Sequence, residues 1–240
     1  MLRKIRTRVE KRWAQIGLLS AQAIVVTICF FGSMVVFISV AKAIFLDKKK
    51  EFDEDVFNAI KPMISPKTTE VMQFFTFFAK HDFLIPANLC LLAYFLFVKK
   101  HRWYSIKIPS IALSSTALLF LMKSYFNRNR PDPPLVEAAK GLSFPSGHAM
   151  MSFAFYGLLI YITHKLVKDK RIKIPLIIFL LLFIHLIGFS RIYLRVHYAS
   201  DVIAGFAVGF MWLYFSLWLL NKIERNAKKG TLPATSEKAL

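Results

Sequence analysis

Apolar residues in this chain come in long runs, and polar ones gather between them. Six runs cover roughly residues 17–46, 83–99, 106–125, 148–166, 174–190 and 201–221. Each approaches the roughly 20 residues that cross a bilayer. Lipid offers no hydrogen-bond partner to an open backbone, so every run is predicted to be helical. The fold class is therefore all-α, an integral membrane bundle of about six transmembrane helices. One shorter run, Val71 to Ala79, is too short to span. It reads either as an interfacial or re-entrant helix, with Phe74, Phe75, Phe77 and Phe78 at the headgroup boundary, or as an extension of the second span.

The segments between the runs set the orientation. Basic residues crowd four of them: Arg3 to Arg12 before the first run, Lys99 to Lys107, Lys165 to Lys173, and Lys222 to Lys229 after the last. With six spans these four share one side, and the positive-inside rule makes that side the cytoplasm, with both termini in it. The remaining segments, 47–82, 126–147 and 191–200, then face outward. Loop 126–147 carries Pro131, Pro133 and Pro134 and cannot be one continuous helix.

Composition supports this picture. The chain is 56% hydrophobic with a mean hydropathy of +0.47, more apolar than a soluble domain of 240 residues. No interval between runs is long enough for a second core, so residues 1–240 read as a single transmembrane domain. Residues 1–16 would be a basic cytoplasmic N-terminus and 228–240 a disordered cytoplasmic tail. The basic start resembles a signal peptide, but the apolar stretch from Leu18 to Val40 is too long for one and lacks a small-residue cleavage site. A net charge of +19 would suggest nucleic acid in a soluble protein. Here the charge sits where headgroups account for it, and no RNA-binding motif is present, so no nucleic-acid partner is expected. Cys29 and Cys90 both lie inside apolar runs and are expected to be buried packing residues rather than a disulfide or a zinc site.

Three short stretches at the edges of the runs carry candidate chemistry, and all three fall on the outer side. They are Lys123 with Arg130-Pro131, Pro145-Ser146-Gly147-His148, and Ser190-Arg191 with His197 and Asp201. Lys123, Arg130 and Arg191 supply fixed positive charge for a phosphate. Ser146 suits a helix N-cap, where first-turn amides attract anions, and Gly147 lets the backbone approach an oxyanion. His197 and Asp201 are four apart and would share a helix face. A carboxylate on one imidazole nitrogen fixes the tautomer and leaves the other free to attack phosphorus. His148 is placed to protonate the leaving group and then to activate water. The cations come from the protein, so neither metal nor other cofactor is expected. His81, Asp82, Asp132 and Arg195 are secondary candidates on the outer side, and His185 reads as a packed core histidine.

The ordered set of motifs resembles the signature of the type 2 phosphatidic acid phosphatase superfamily, the lipid phosphate phosphatases. Lys123, Arg130 and Pro131 match its first motif, Ser146, Gly147 and His148 its second, and Ser190, Arg191, His197 and Asp201 its third. The resemblance implies a helical bundle with a vanadium-haloperoxidase-like phosphatase core and a metal-independent phosphohistidine mechanism. The implied roles are His197 as nucleophile, Asp201 as its partner, His148 as acid and base, and Lys123, Arg130, Ser146, Gly147 and Arg191 as phosphate ligands. The likeness is to bacterial members acting on phosphatidylglycerophosphate, phosphatidate, undecaprenyl pyrophosphate or lipid A phosphates. The expected protein is a cell-membrane hydrolase whose partners are a lipid phosphate and membrane lipids, with its site facing outward. A lipid phosphotransferase using the same site, or a non-catalytic lipid-binding or transport protein, are the alternatives.

Overall fold

The computed structural model describes residues 2–136 and 141–230, with side chains for 24–136 and 141–228. The described chain is helical, and no strand occurs among the described residues. The helices are α1 (Leu2–Phe45), α2 (Glu51–Ile60), α3 (Pro66–Phe77), α4 (His81–Ala93), α5 (Arg102–Phe126), α6 (Gly147–Leu166), α7 (Lys170–Tyr193) and α8 (Ala199–Gly230). Six segments among the described residues are long and apolar enough to cross a membrane: Ile24–Phe45, Pro66–Val98, Arg102–Phe126, Gly147–Leu166, Lys170–Tyr193 and Ala199–Lys228.

Several helices outrun their apolar stretches because polar residues close their ends. His101 caps α5, its Nδ1 accepting from the Tyr104 amide at 3.3 Å. Asn127 ends α5 in the left-handed conformation, a backbone state that asparagine tolerates better than most residues. Helix α8 continues to Gly230, and Lys228 reaches back one turn to Glu224 at 2.6 Å. The predicted tail therefore begins too early: residues 228–230 are helical, while 231–240 lie outside the described residues.

The short run after residue 70 belongs to a helix of its own. Helix α3 begins at a Ser65 cap with Pro66 in its first turn. It packs on α7, with the Phe75 and Phe78 rings 6.0 and 5.3 Å from Phe183. The chain turns at Phe78–Lys80 before α4 begins, so α3 is not a straight extension of the next helix. The Phe78 carbonyl accepts from the Tyr156 hydroxyl at 2.8 Å, which ties this turn to α6.

Helix α6 is the centre of the bundle, packed between α5, α7 and α8. Its approach to α8 depends on Gly205 and Gly209. A Cβ at Gly205 would stand 2.7 Å from the Ser146 carbonyl oxygen, and one at Gly209 would stand 2.9 Å from that of Met150. Small residues four apart allow this backbone-to-backbone closeness, a common way for helices to associate in lipid. Outside this core, Ile28, Val35, Leu113, Phe120, Ile178 and Leu182 are more than half exposed. A water-facing surface of that kind would be unfavourable, whereas a lipid-facing one is expected to look like this. Cys29 and Cys90 belong to the same exposed surface and are free thiols, not buried packing residues. His185 is also exposed rather than packed in the core. Its Nδ1 is satisfied 2.8 Å from the Leu181 carbonyl of its own helix.

Candidate active site

The three motifs meet at one end of the bundle. The C-terminal ends of α5 and α7 bring Lys123 and Arg191, and the N-terminal ends of α6 and α8 bring His148 and Asp201. A cleft of about 690 Å³ opens between them, lined among others by Lys123, Arg130, Gly147, His148, Arg191 and His197. Lys123 and His197, 74 positions apart in sequence, thus share one cavity because antiparallel helices return their ends to the same face.

Ser146 caps α6: its hydroxyl accepts from the Ala149 amide at 3.5 Å, and its own amide donates to the Asp201 carbonyl at 2.9 Å. Ser146 is fully buried and does not line the cleft; it holds the α6 N-terminus in place beside it. Gly147 does line the cleft. A Cβ there would stand 3.1 Å from Leu119 on α5, so glycine also lets α5 and α6 close together. Pro131 and Ser190 are buried behind the cleft, with the Ser190 hydroxyl bound to the Ile187 carbonyl at 2.6 Å.

His197 and Asp201 do meet, though not on a common helix face. His197 lies in the turn before α8, and Asp201 is in the first turn of that helix. The Asp201 carboxylate reaches back past the helix start. Its Oδ2 accepts from the Tyr198 amide at 2.9 Å and stands 3.4 Å from His197 Nδ1. This is the reciprocal half of a capping box, so one carboxylate both starts α8 and faces the imidazole. On the far side, His197 Nε2 is 3.1 Å from Arg130 Nη1. A guanidinium can only donate, so Nε2 must carry the lone pair and Nδ1 the proton. The geometry itself assigns the tautomer.

Burial lowers the His197 pKa from its ordinary value to about 3, against the raising effect of Asp201; Arg130 and Arg191 push it down further. The imidazole is therefore neutral at pH 7, with a lone pair directed at a site surrounded by cations. Lys123 Nζ donates to the Leu142 carbonyl. Arg130 donates to the carbonyls of Gly141 at 2.9 Å and Val196 at 2.7 Å. Arg191 is nearly buried; its Nη1 donates to Thr76 Oγ1 at 2.6 Å, and its Nε has no partner among the described residues. The Nε2 of His148 is likewise buried without a partner. Two unsatisfied polar atoms beside one cleft are what an anionic ligand would complete.

Several residues at this site were not picked out by sequence reasoning. Arg128 lies between two buried carboxylates, 2.5 Å from Asp201 Oδ1 and 2.8 Å from Asp53 Oδ2, with its guanidinium 4.0 Å from the Tyr198 ring centre. Asp53, on α2, also accepts from the Ser200 amide at 2.9 Å and the Ser200 hydroxyl at 2.6 Å. Ser143 donates its hydroxyl to Asp201 Oδ2 and stands 3.3 Å from His197 Nδ1. Gln73, Thr76 and Lys80 join His81 and Asp82, two of the secondary candidates named from the sequence, in the wall supplied by α3 and the start of α4. His81 and Asp82 pair with each other at 2.9 Å on that rim. Asp132 is not part of the lining, and Arg195 turns away to lie over Phe57, 5.1 Å from its ring centre. The one sequence signal that could single out Arg128 is its place two residues before Arg130. Nothing in the local sequence distinguished Asp53 from the other acids around it. Among the described residues, no cluster of three or more histidine, cysteine or carboxylate side chains could hold a metal ion.

Six apolar spans with fixed cations and two histidines gathered at one end define the class: a multi-pass helical membrane protein with a cationic cleft at one end. Residues 103–225 match the PAP2 superfamily, and the chain belongs to that superfamily. It is 30% identical over 196 residues to phosphatidylglycerophosphatase B of Bacillus subtilis (strain 168), across 80% of this chain and 95% of that one. Its fold is similar to the crystal structure of a transmembrane PAP2-type phosphatidylglycerolphosphate phosphatase from Bacillus subtilis. The TM-score is 0.75 at 26% identity, covering 82% of this chain and 98% of the other. The crystal structure of LpxE from Aquifex aeolicus is also similar, with a TM-score of 0.52 at 28% identity over 68% of this chain and 93% of that one.

Proposed function

We propose that this protein is a membrane lipid phosphatase that removes phosphate from a lipid phosphomonoester or pyrophosphate through a phosphohistidine on His197. Phosphatidylglycerophosphate is the first substrate to test, given the names of the Bacillus subtilis relative and of the similar Bacillus subtilis structure. The observation that carries the reading is the orientation of His197. Its Nδ1 is held by Asp201 and its Nε2 is turned toward Arg130 in a cleft that also holds Lys123, Arg191 and His148.

In this reading the substrate phosphate draws Arg130, Lys123 and Arg191 onto its oxygens, and the first-turn amides of α6 add their partial positive charge. Arg130 thereby uncovers Nε2. Beside the bound phosphate dianion His148 enters the step as the imidazolium. The His197 nitrogen attacks phosphorus, the bond from phosphorus to the lipid oxygen breaks, and that oxygen takes the His148 proton, leaving this imidazole neutral. Water then attacks the phosphohistidine as His148 takes its proton back. The P–N bond breaks, phosphate leaves, and His197 returns to the neutral tautomer fixed by Asp201. For a pyrophosphate the first leaving group is the lipid monophosphate. The site faces the outside of the cell membrane, a reading supported by the clustering of basic residues at the opposite bundle end.

The test is phosphate release by the purified protein in detergent, from a panel of lipid phosphates and with no acceptor lipid present. His197→Ala is expected to remove release entirely while leaving the thermal melt close to that of the parent. Near-normal turnover in that variant would refute the assignment. Phosphate passed only to an added lipid would make the protein a transferase.

A further inference from the structure

A second and larger cavity, about 960 Å³, lies at the other end of the bundle. It is lined by the start of α5, the C-terminal ends of α6 and α8, and parts of α1 and α7, whereas the catalytic cleft takes the C-terminal end of α5, the N-terminal end of α6 and the turn before α8. The two cavities therefore stand at opposite membrane surfaces. Along α6 the wall runs from Gly157 to Lys165, eight residues and roughly 12 Å. Farther from the helix ends its wall is apolar and aromatic, with Phe210 and Tyr214, while the half-exposed Trp218 lies toward a basic mouth.

The charges at the mouth do not balance. Lys107, Lys165, Arg225 and Lys228 line the cavity together with a single carboxylate, Glu224. Glu224 is already engaged by Lys107 at 2.6 Å and by Lys228 at 2.6 Å. Lys107 is almost fully buried and is also bonded to Asn221 at 2.7 Å, and Tyr161 donates to the same Asn221 oxygen at 2.9 Å. This buried network forms a fixed floor. Lys165 and Arg225 are exposed at the mouth, and neither has a carboxylate partner among the described residues. An apolar slot between helices that ends in unneutralised cations is complementary to one kind of molecule: an acyl chain with an anionic headgroup.

We propose that this cavity binds an anionic phospholipid of the leaflet opposite the catalytic cleft, with its phosphate at Lys165 and Arg225 and an acyl chain along Gly157, Phe210 and Trp218. A zwitterionic lipid would bring its own cation against this mouth and bind less well. The site is separate from the phosphatase centre and does not depend on the reaction assigned to it.

The experiment compares phosphatidylglycerol with phosphatidylcholine of the same chains, titrated onto the full-length protein in uncharged detergent and read by native mass spectrometry. The parent is expected to prefer phosphatidylglycerol by at least about tenfold, equivalent to roughly 1.4 kcal/mol. The double variant Lys165→Glu/Arg225→Glu should lose most of that preference while its turnover of a short-chain lipid phosphate stays within about twofold of the parent. In a second measurement on the parent, phosphatidylglycerol with brominated chains should quench Trp218, read as the difference from Trp218→Phe. Equal affinity for the two lipids, a preference unchanged by charge reversal, or no quenching of Trp218 would each overturn the proposal. So would competition by free glycerophosphate at the lipid's own concentration, because the site would then be one for phosphate alone.

Discussion

In an Asp201→Asn variant, one side of the new amide must face a group it cannot satisfy. Asp201 Oδ1 meets Arg128 at 2.5 Å, while Oδ2 meets the Tyr198 amide at 2.9 Å, His197 Nδ1 at 3.4 Å and the Ser143 hydroxyl. Arg128 and the Tyr198 amide only donate, so both positions require an acceptor, and asparagine offers one. With its oxygen toward Arg128, its NH₂ group confronts the Tyr198 amide and His197 Nδ1. The imidazole must then accept at Nδ1 and carry its proton on Nε2, which removes the attacking lone pair. With the amide reversed, its NH₂ group points into the Arg128 guanidinium inside a buried cluster.

A tautomer error of this kind costs on the order of 10⁴ in kcat for serine-protease triads. The expectation here is a loss of about 10³ to 10⁴, or roughly 4 to 5.5 kcal/mol of barrier. Asp201 does not line the cleft, so KM should change by less than about threefold. Removing one partner of a buried ion pair costs about 3–5 kcal/mol. Arg128 keeps Asp53 at 2.8 Å and Ser200 at 2.8 Å, which holds the stability loss near the lower figure. The assay is steady-state phosphate release in detergent, paired with a thermal melt. A companion Ser143→Ala leaves the carboxylate in place and should cost less than about tenfold. A kcat within tenfold of the parent for Asp201→Asn, or a loss confined to KM, would refute the tautomer argument.

Asp53→Asn should lower kcat by about 10-fold to 100-fold with KM nearly unchanged, because it loosens Arg128 and through it Asp201, and a loss confined to KM would contradict this. Phosphate release should be unaffected by a chelator and inhibited by vanadate, since Lys123, Arg130 and Arg191 provide the charge that a metal would otherwise supply; full loss in chelator restored by magnesium would defeat the mechanism. Stability should fall on acidification: His197 is neutral in the fold with a pKa near 3 and accepts a proton near 6.5 when unfolded, so its contribution is complete above about pH 6.5 and declines by about 1.4 kcal/mol per unit as the pH drops toward 3. Thermal melts between pH 7 and pH 4 should decline by at least that slope, and His197→Gln should reduce the decline by about 1.4 kcal/mol per pH unit. With Cys29 and Cys90 replaced, a cysteine at Asp132 should react with an impermeant thiol reagent added outside intact cells and one at Lys170 should not; the reverse pattern would invert the topology.

The fold was readable wherever one physical rule dominated. Bilayer thickness requires long apolar runs, so the six spans stood out, and basic clusters marked one bundle end. The rule weakened at α3, because Pro66–Phe77 is neither long enough to cross nor polar enough to be a loop. Its place is set by packing against α7, a contact that no local pattern records. Exposure misled for a related reason. Cys29, Cys90 and His185 sit in apolar runs, and in water such runs are buried, but in lipid the outer face of a helix is apolar as well. Lys107 was read as one of a cytoplasmic group of charges, yet it is buried against Glu224, 117 residues away in sequence.

At the site, the division falls between groups recognised by chemical type and groups recognised by partnership. Lys123, Arg130, His148, Arg191, His197 and Asp201 stood out because fixed cations and histidines beside apolar runs are costly unless they serve a purpose. Asp53, Ser143 and Thr76 have no such mark. A carboxylate among acids, or a hydroxyl in a loop, becomes informative only once its partner is known. Those partners lie far off in sequence: Asp53 is 147 residues from Ser200 and 75 from Arg128, and Thr76 is 115 from Arg191. The consequence is physical as well as practical. Helix α2 lies before the bundle core in sequence, yet through Asp53, Arg128 and Asp201 it reaches the imidazole. A charge change on α2 should therefore alter the reaction without touching the cleft. An equivalent change at Asp55, two residues along the same helix and outside this network, should not.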